Sequence, residues 1–155
     1  MTRALVYGLA IAGESTVRAL LRHGYDVVVA DDTVDARRRE LASELGVDLL
    51  DRPGADVLSD LIAACDLVSP APGVPETHAV IAVADAVGVE VVSEIELAYR
   101  WEQDRTGGPR PMLAITGTDG NQYSTVRPQG EDIADRLIAK NVDVKVTRQQ
   151  QSGFM

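Results

Sequence analysis

Lysine is absent from the first 120 residues of this 155-residue chain, and cysteine, phenylalanine and tryptophan each occur only once in the whole of it. The lone Cys65 excludes an intrachain disulfide and fits a reducing compartment, so we expect it to be a buried apolar residue. No stretch approaches the ~20 apolar residues of a membrane span, and glycines interrupt the apolar start, unlike a signal peptide. The formal charge of −9 argues against nucleic acid, which needs a basic face. These absences predict a cytoplasmic protein without a membrane span or a nucleic-acid partner.

The composition of the chain changes after Gly120. Both lysines, both asparagines and five of the six glutamines lie beyond this residue. The first 120 residues carry 10 arginines against 20 acids, whereas the last 35 carry 5 bases against 4 acids. Together these shifts predict that two segments of different origin join near residues 118–120.

The first 120 residues alternate short apolar runs with helical stretches of about ten residues, the pattern of parallel βαβ units. It predicts an α/β fold, a Rossmann-like doubly wound parallel sheet of about five strands, followed by a short strand–helix–strand tail. The predicted strands are 3–7, 26–30, the start of 66–73, 89–93 and 112–116, and the predicted helices are 13–23, 35–45, 55–64, 76–87 and 94–102. In the tail we expect strands over 123–126 and 142–147 around a helix over 130–140.

The first strand-to-helix turn reads GLAIAG, with Gly8, Ala10 and Gly13 where a dinucleotide-binding fingerprint has three glycines. Asp31 and Asp32 end the second strand about twenty residues later, where a ribose or base would lie. Two interpretations remain open from this pattern. It is either a nucleotide site or a glycine-rich turn with two solvated acids.

A second candidate is the loop Ser-Pro-Ala-Pro-Gly-Val-Pro at 69–75, which follows a strand where open α/β sheets bind ligands. Gly73 offers an uncrowded N–H, and the alternative is a rigid turn before a helix. We expect His78, at the start of that helix, to be a capping or surface residue rather than a catalytic one. The sequence shows neither a metal-ligand cluster nor a Ser/His/Asp set, so we predict neither a metal site nor catalytic residues.

Residues 112–120, MLAITGTDG, have the form of an ATP phosphate-binding loop that lacks its last part. Such a loop continues with a Lys for the β- and γ-phosphates and a Ser or Thr for Mg²⁺, but this chain has Asn121 and Gln122. We therefore regard the loop as degenerate. Its residues are Gly117, Thr118, Asp119 and Gly120.

In order along the chain, VYGLAIAGES, VVVADD, DLVSPAPGVP, VVSEIEL and LAITGTDG resemble the Mur ligases of peptidoglycan synthesis over about residues 3–120. The resemblance is strongest to the branch that adds D-glutamate to UDP-N-acetylmuramoyl-L-alanine. It implies a UDP-substrate-binding domain over 1–110, the start of an ATPase domain over 111–120 and an unrelated tail over 121–155. It also implies a site for the diphosphate and uridine at Gly8, Ile11, Ala12, Gly13, Asp31, Asp32 and Gly73.

The tail from about residue 118 resembles something else, part of the extracytoplasmic domain of the membrane-anchored zinc protease FtsH. The resemblance carries none of that protease's catalytic residues. It implies a chimeric chain.

We therefore expect a truncated Mur ligase homologue that keeps the uridine-nucleotide-binding domain and has no catalysis. The family uses ATP and Mg²⁺, and we expect neither to be retained. One alternative is a sensor domain for NAD or an adenine nucleotide. The other is an interaction module that binds no nucleotide.

Overall fold

Two apolar runs form the centre of the sheet in the computed structural model, which describes residues 2–110, 112–116 and 122–126. Strand β1 (Arg3–Tyr7) pairs in parallel with β2 (Asp26–Asp31), and both are almost wholly buried. Continuous apolar character suits parallel strands that helices cover on both faces. The predicted bounds of these two strands are confirmed to within one residue.

A five-stranded parallel sheet is built around this pair in the order β3-β2-β1-β4-β5. The three further strands are β3 (Asp48–Asp51), β4 (Leu67–Pro70) and β5 (Glu90–Val91). The Rossmann-like α/β prediction is confirmed, but its set of strands was partly wrong. Strand β3 was missed because it is a short edge strand with only two apolar residues between acids, too few to show a period.

Helices cover both faces of the sheet. The helices are α1 (Ile11–Arg22), α2 (Ala36–Leu45), α3 (Ala55–Ala63), α4 (Ala79–Val87) and α5 (Glu94–Gln103). On one face, Leu5 and Tyr7 of β1 share a core with residues of α3 and α4, including Ile62 and Val80. Within the described part of the chain, no helix is both long and apolar enough to cross a membrane.

The chain divides into two compact units, Met1–Tyr99 and Arg100–Met155. In the second unit, β6 (Met112–Thr116) pairs antiparallel with β7 (Gln122–Val126), with Thr116 opposite Gln122. The strand predicted at 112–116 therefore exists, but it is not a member of the five-stranded sheet. The predicted tail helix over 130–140 and strand over 142–147 lie outside the described residues. The domain limits at 110 and 120 stay predictions.

Candidate functional site

The candidate site lies at the carboxyl edge of the sheet, where β1, β2 and β4 end. The chain leaves β1 through α1 to β2 on one side, whereas β4 lies on the other side of β1. This reversal of direction is the topological switch point, where open α/β sheets bind ligands. The residues that the sequence predicts as a nucleotide site lie around this point.

The turn from β1 into α1 is held tightly against the sheet. Gly8 has φ +97°, a left-handed conformation that glycine adopts without strain, and its N–H donates to the Ala30 carbonyl at 2.7 Å. A Cβ on Gly13 would lie only 1.9 Å from the Gly8 carbonyl oxygen. Both glycines are therefore required for the close approach of α1 to the end of β1.

The N-terminus of α1 is left open by this turn. Ala10 occupies the N-cap position and has no side chain that could accept a hydrogen bond from the first-turn amides. Ile11 is 85 % exposed at the start of the helix, and Ala12 is half-buried behind it. Unpaired amides and the positive end of the helix dipole favour an anion at this position.

Asp31 has a structural role at the end of β2. It is buried, and its carboxylate accepts hydrogen bonds from the N–H groups of Leu9 at 2.7 Å and Thr33 at 2.8 Å. Arg38 forms an ion pair with it at 3.2 Å. Asp31 thereby ties the β1–α1 turn to the β2–α2 loop. The interpretation of this residue as a solvated acid is not supported by its burial.

Asp32, the next residue, has a different environment. One carboxylate oxygen accepts from the Tyr7 hydroxyl at 2.7 Å, and the other lies 2.9 Å from His78 Nε2. The ring of Tyr7 also lies against the ring of His78, with 4.7 Å between centroids. Three chain segments far apart in sequence thus converge on one carboxylate at the site.

The position of the His78 proton follows from its second contact. His78 is the N-cap of α4, and its Nδ1 accepts from the Val80 N–H at 3.1 Å. Because Nδ1 is an acceptor, the neutral imidazole carries its proton on Nε2 and donates it to Asp32. The expectation that His78 caps the helix is confirmed, and its contact with Asp32 is additional.

The hydrogen bond between Tyr7 and Asp32 shifts the pKa values of these two residues in opposite directions. Donation by the Tyr7 hydroxyl, helped by His78, lowers the pKa of Asp32 below its usual value. Burial, together with the bond to an anionic acceptor, raises the pKa of Tyr7. At neutral pH the pair is therefore an ionised carboxylate and a neutral phenol.

Arg52, immediately after β3, holds the backbone at the start of the β2–α2 loop. Its φ is +40°, the one positive value for a non-glycine residue in the described part of the chain. Its N–H donates to the Asp31 carbonyl at 2.8 Å. Its guanidinium donates to the Asp32 carbonyl from Nε at 3.1 Å and from Nη2 at 2.6 Å. These bonds fix the main chain at the end of β2 and compensate an unfavourable backbone conformation.

The loop after β4 completes the site. The Ala71 N–H donates to the Tyr7 carbonyl at 2.8 Å, which places the start of this loop beside the β1–α1 turn. A Cβ on Gly8 would be 3.1 Å from Ala71 Cβ, so the two segments are in contact. Gly73 is exposed, and no atom of the described residues lies within 4 Å of a Cβ added there. This part of the chain therefore leaves the Gly73 backbone open to a ligand.

All seven predicted UDP-site residues lie at this edge of the sheet: Gly8 in the β1–α1 turn, Ile11, Ala12 and Gly13 in the first turn of α1, Asp31 and Asp32 at the end of β2, and Gly73 in the loop after β4. The sequence did not indicate that Tyr7, Arg52 and His78 lie together around Asp32 at this site. Tyr7 looked like an ordinary strand residue, and Arg52 follows the strand that was not predicted.

The degenerate phosphate loop, Gly117, Thr118, Asp119 and Gly120, lies outside the described residues. Among the residues described, no group of three or more potential metal ligands occurs.

Comparison with a family model matches residues 2–93 to the Mur ligase MurD-like N-terminal domain. The UDP-N-acetylmuramoylalanine–D-glutamate ligase of Thermobifida fusca is 41% identical over 130 residues, covering 81% of this chain and 26% of the relative. That of Syntrophus aciditrophicus is 38% identical over 124 residues, covering 79% and 26%. The chain thus spans about a quarter of the length of these relatives. They give no support to the FtsH resemblance of the tail, which stays a prediction.

Solved structures agree on the fold. The UDP-N-acetylmuramate:L-alanyl-γ-D-glutamyl-meso-diaminopimelate ligase of Neisseria meningitides superposes with a TM-score of 0.53 at 14% identity, covering 68% of this chain and 31% of that one. Saccharopine dehydrogenase of Saccharomyces cerevisiae gives 0.51 at 21% identity, covering 60% and 21%. At such identities the likeness shows the Rossmann-like fold alone.

Proposed function

Because this chain belongs to the Mur ligase family through a MurD-like N-terminal domain at residues 2–93, we propose that it binds the uridine diphosphate end of UDP-N-acetylmuramoyl-L-alanine. One observation carries the proposal. The open N-terminus of α1 and the Gly73 loop lie side by side at the switch point of the sheet. Together they offer unpaired amides and unobstructed backbone to a phosphorylated ligand.

The diphosphate would bind at the first turn of α1 and along the Gly73 loop. Backbone amides and the helix dipole hold an anion locally, so the net charge of −9 does not oppose binding at this point. Ala10 keeps the amides of the first turn free from a side-chain cap. Gly73 lets the ligand approach the main chain closely.

The uridine would lie beyond the diphosphate, over the ends of β1 and β2. Ile11 supplies an exposed apolar side chain that a pyrimidine can cover, with Ala12 next to it. Asp32 supplies a half-exposed carboxylate. Asp31 contributes by shaping the loop, because its carboxylate is already taken by two backbone N–H groups and Arg38.

We further propose that this chain binds the nucleotide without performing the ATP-dependent step. Two features support this. Asn121 and Gln122 stand where a phosphate-binding loop has Lys and Ser or Thr. In addition, a phosphate loop leads from its strand into a helix, whereas β6 is followed after five residues by the antiparallel strand β7.

The binding proposal is tested by titrating the ¹⁵N-labelled chain with UDP-N-acetylmuramoyl-L-alanine, and in parallel with NAD and with ATP. We expect the amide signals of Gly8, Ile11, Gly13, Asp32 and Gly73 to shift with the uridine ligand and not with the other two. Shifts with NAD would favour the dinucleotide sensor instead. A folded spectrum that responds to none of the three ligands would contradict the proposal.

A matched pair of variants tests the position of the base. Ile11 and Val57 are both exposed aliphatic residues near the start of a helix, at 85 % and 52 % exposure, but Val57 lies on α3. Ile11→Ala removes apolar area that the bound ligand would cover, about 1 kcal/mol, or roughly fivefold in Kd. Val57→Ala should leave Kd unchanged. Equal Kd values for the two variants would place the base elsewhere.

A further inference from the structure

A groove of about 520 Å³ lies between α4 and the outermost strand β5. Its apolar surface comes from Ile81 and Ala82 of α4 and from Val89 and Val91 at the edge of the sheet. Val91 is 38 % exposed, whereas the next residue, Val92, is 1 % exposed and faces the opposite side of the sheet. Among the described residues that line the groove, none belongs to the proposed UDP site. The proposed function therefore does not account for this surface.

The main chain of β5 carries hydrogen-bonding groups that face away from the sheet. Val91 lies opposite Val68 of β4, and the Val92 N–H donates to the Val68 carbonyl at 2.8 Å. In a parallel ladder this register means that the N–H and C=O of Val91 point to the outer side of β5. No described strand pairs with that side. Val91 therefore offers one donor and one acceptor to a further strand, directly beside the groove.

Acidic side chains flank the apolar surface of the groove. Glu76, in the loop before α4, and Asp85, on α4, are both exposed, and Glu90 of β5 also lines the groove. Among the described residues that line it, none is basic. The groove thus combines apolar contact and outward main-chain groups with negative charge, in a chain whose net charge is −9. Charge of one sign in a cleft attracts a partner of the opposite sign.

We propose that this groove and the outer side of β5 bind an extended segment of a partner protein in which apolar residues alternate with basic ones. The segment would pair with Val91 as an added strand, and the main-chain hydrogen bonds would hold it at the edge of the sheet. Because side chains alternate along a strand, its apolar residues would contact the groove while its long basic side chains reach the surrounding carboxylates. This inference does not depend on nucleotide binding.

The charge of the groove favours a basic partner over a second copy of this chain. Two copies that paired with each other through β5 about a two-fold axis would bring the same acids together, and like charges on facing strands are unfavourable. The same acids would repel a nucleic acid or an anionic membrane surface. A basic segment meets neither obstacle.

Hydrogen exchange of the Val91 amide tests the strand pairing directly. The probe is the synthetic peptide acetyl-Val-Lys-Val-Lys-Val-Lys-amide, added to the ¹⁵N-labelled full chain. We expect saturating peptide to slow exchange of the Val91 amide about tenfold relative to that of the Val92 amide. The Val92 amide is the internal control, because it already donates to Val68 in the free protein.

Three further peptides separate strand pairing from charge attraction. One is N-methylated at every valine and another at every lysine, so each is blocked along one edge of the probe strand and open along the other. Their Kd values should differ by about tenfold or more, because only one of them keeps the edge that pairs with Val91. The acidic peptide acetyl-Val-Glu-Val-Glu-Val-Glu-amide should bind at least about tenfold more weakly than the probe.

Two variants locate the binding surface. Asp85→Lys reverses a charge beside the groove and should weaken binding of the probe about fivefold. Asp60→Lys is its matched control, because Asp60 is also an exposed acid near the end of a helix, on α3, and does not line the groove. Val91→Pro removes the outward N–H and keeps the bond from Val92 to Val68, so it should weaken binding by about tenfold or more.

Slower exchange at Val91, unequal affinities for the two methylated peptides and a loss in Asp85→Lys alone would together support the proposal. Unchanged Val91 exchange at up to about 1 mM probe would overturn it. Equal affinity for the two methylated peptides would show that no strand is added. Equal Kd values for Asp85→Lys and Asp60→Lys would show that the peptide binds elsewhere, whether or not Val91→Pro folds.

Discussion

Replacing Gly13 by alanine should destabilise the N-terminal unit, although alanine is the better helix former. The added Cβ would lie 1.9 Å from the Gly8 carbonyl oxygen and 2.9 Å from its carbon, whereas ordinary contact begins near 3.4 Å. The N-terminus of α1 and the end of β1 would have to separate by about 1.5 Å. Both neighbours are backbone atoms, so no side chain can move aside to relieve the overlap.

The magnitude follows from two opposing terms. Overpacking in a close-packed region costs about 1–3 kcal/mol, and here the upper part of that range applies because the clash is with backbone. The higher helix propensity of alanine offsets about 1 kcal/mol of this cost. The net loss is about 2 kcal/mol of a stability that is typically 5–15 kcal/mol. For a unit of this size the midpoint of thermal unfolding should fall by roughly 10 °C.

Urea unfolding followed by circular dichroism measures this difference, with Gly73→Ala as the matched control. Within the described ranges, no atom lies within 4 Å of a Cβ added at Gly73, and its φ is not left-handed, so the change in its free energy of unfolding should stay within about 0.5 kcal/mol. A Gly13→Ala variant as stable as the wild type would refute the packing of α1 against the turn. A loss of equal size in both variants would show that the effect is not specific to the turn.

Three further predictions follow from particular groups. Asp31→Ala leaves the N–H groups of Leu9 and Thr33 without their acceptor, so the free energy of unfolding in urea should fall by about 3 kcal/mol. A loss of less than about 1 kcal/mol would mean that water replaces the carboxylate. Ser69 Oγ is buried with no partner among the described residues, so Ser69→Ala should be neutral or up to about 1 kcal/mol stabilising in urea unfolding, and a clear loss would reveal a partner. Arg110 holds the pKa of Glu102 at about 2, below its ordinary 4.5, so the stability that this pair contributes is present above pH 4.5 and lost as pH falls towards 2. The Arg110 amide signal should follow that titration, and one that moves with a midpoint near 4.5 would contradict the contact.

The central part of the fold could be predicted from the sequence because its signals are local. The apolar runs of β1 and β2 and the pair Gly8 and Gly13 all lie within short windows, and each has one dominant physical explanation. Strand β3 carried no such signal, because an edge strand of four residues needs little apolar surface. Strands were predicted at 112–116 and 123–126, where β6 and β7 lie. Their antiparallel pairing could not be predicted, because composition does not distinguish antiparallel from parallel neighbours.

The site could be predicted only in part, for a different reason. Its loops were found because strand ends and glycines mark them in sequence. The Tyr7–Asp32–His78 cluster was not found, since its hydrogen bonds join residues 25 and 46 positions apart and no pattern connects them. The different roles of Asp31 and Asp32 also depend on burial, which distinguishes two identical neighbouring side chains only in the folded chain.

The most direct test of the account is an isotope-filtered NOE measurement on the labelled chain saturated with UDP-N-acetylmuramoyl-L-alanine. If the uridine binds at the proposed site, the uracil H5 and H6 protons should show contacts with the δ1 methyl group of Ile11, which is exposed at the N-terminus of α1. Saturated binding without these contacts, or with the base against another surface, would contradict a uridine-nucleotide site at the ends of β1, β2 and β4.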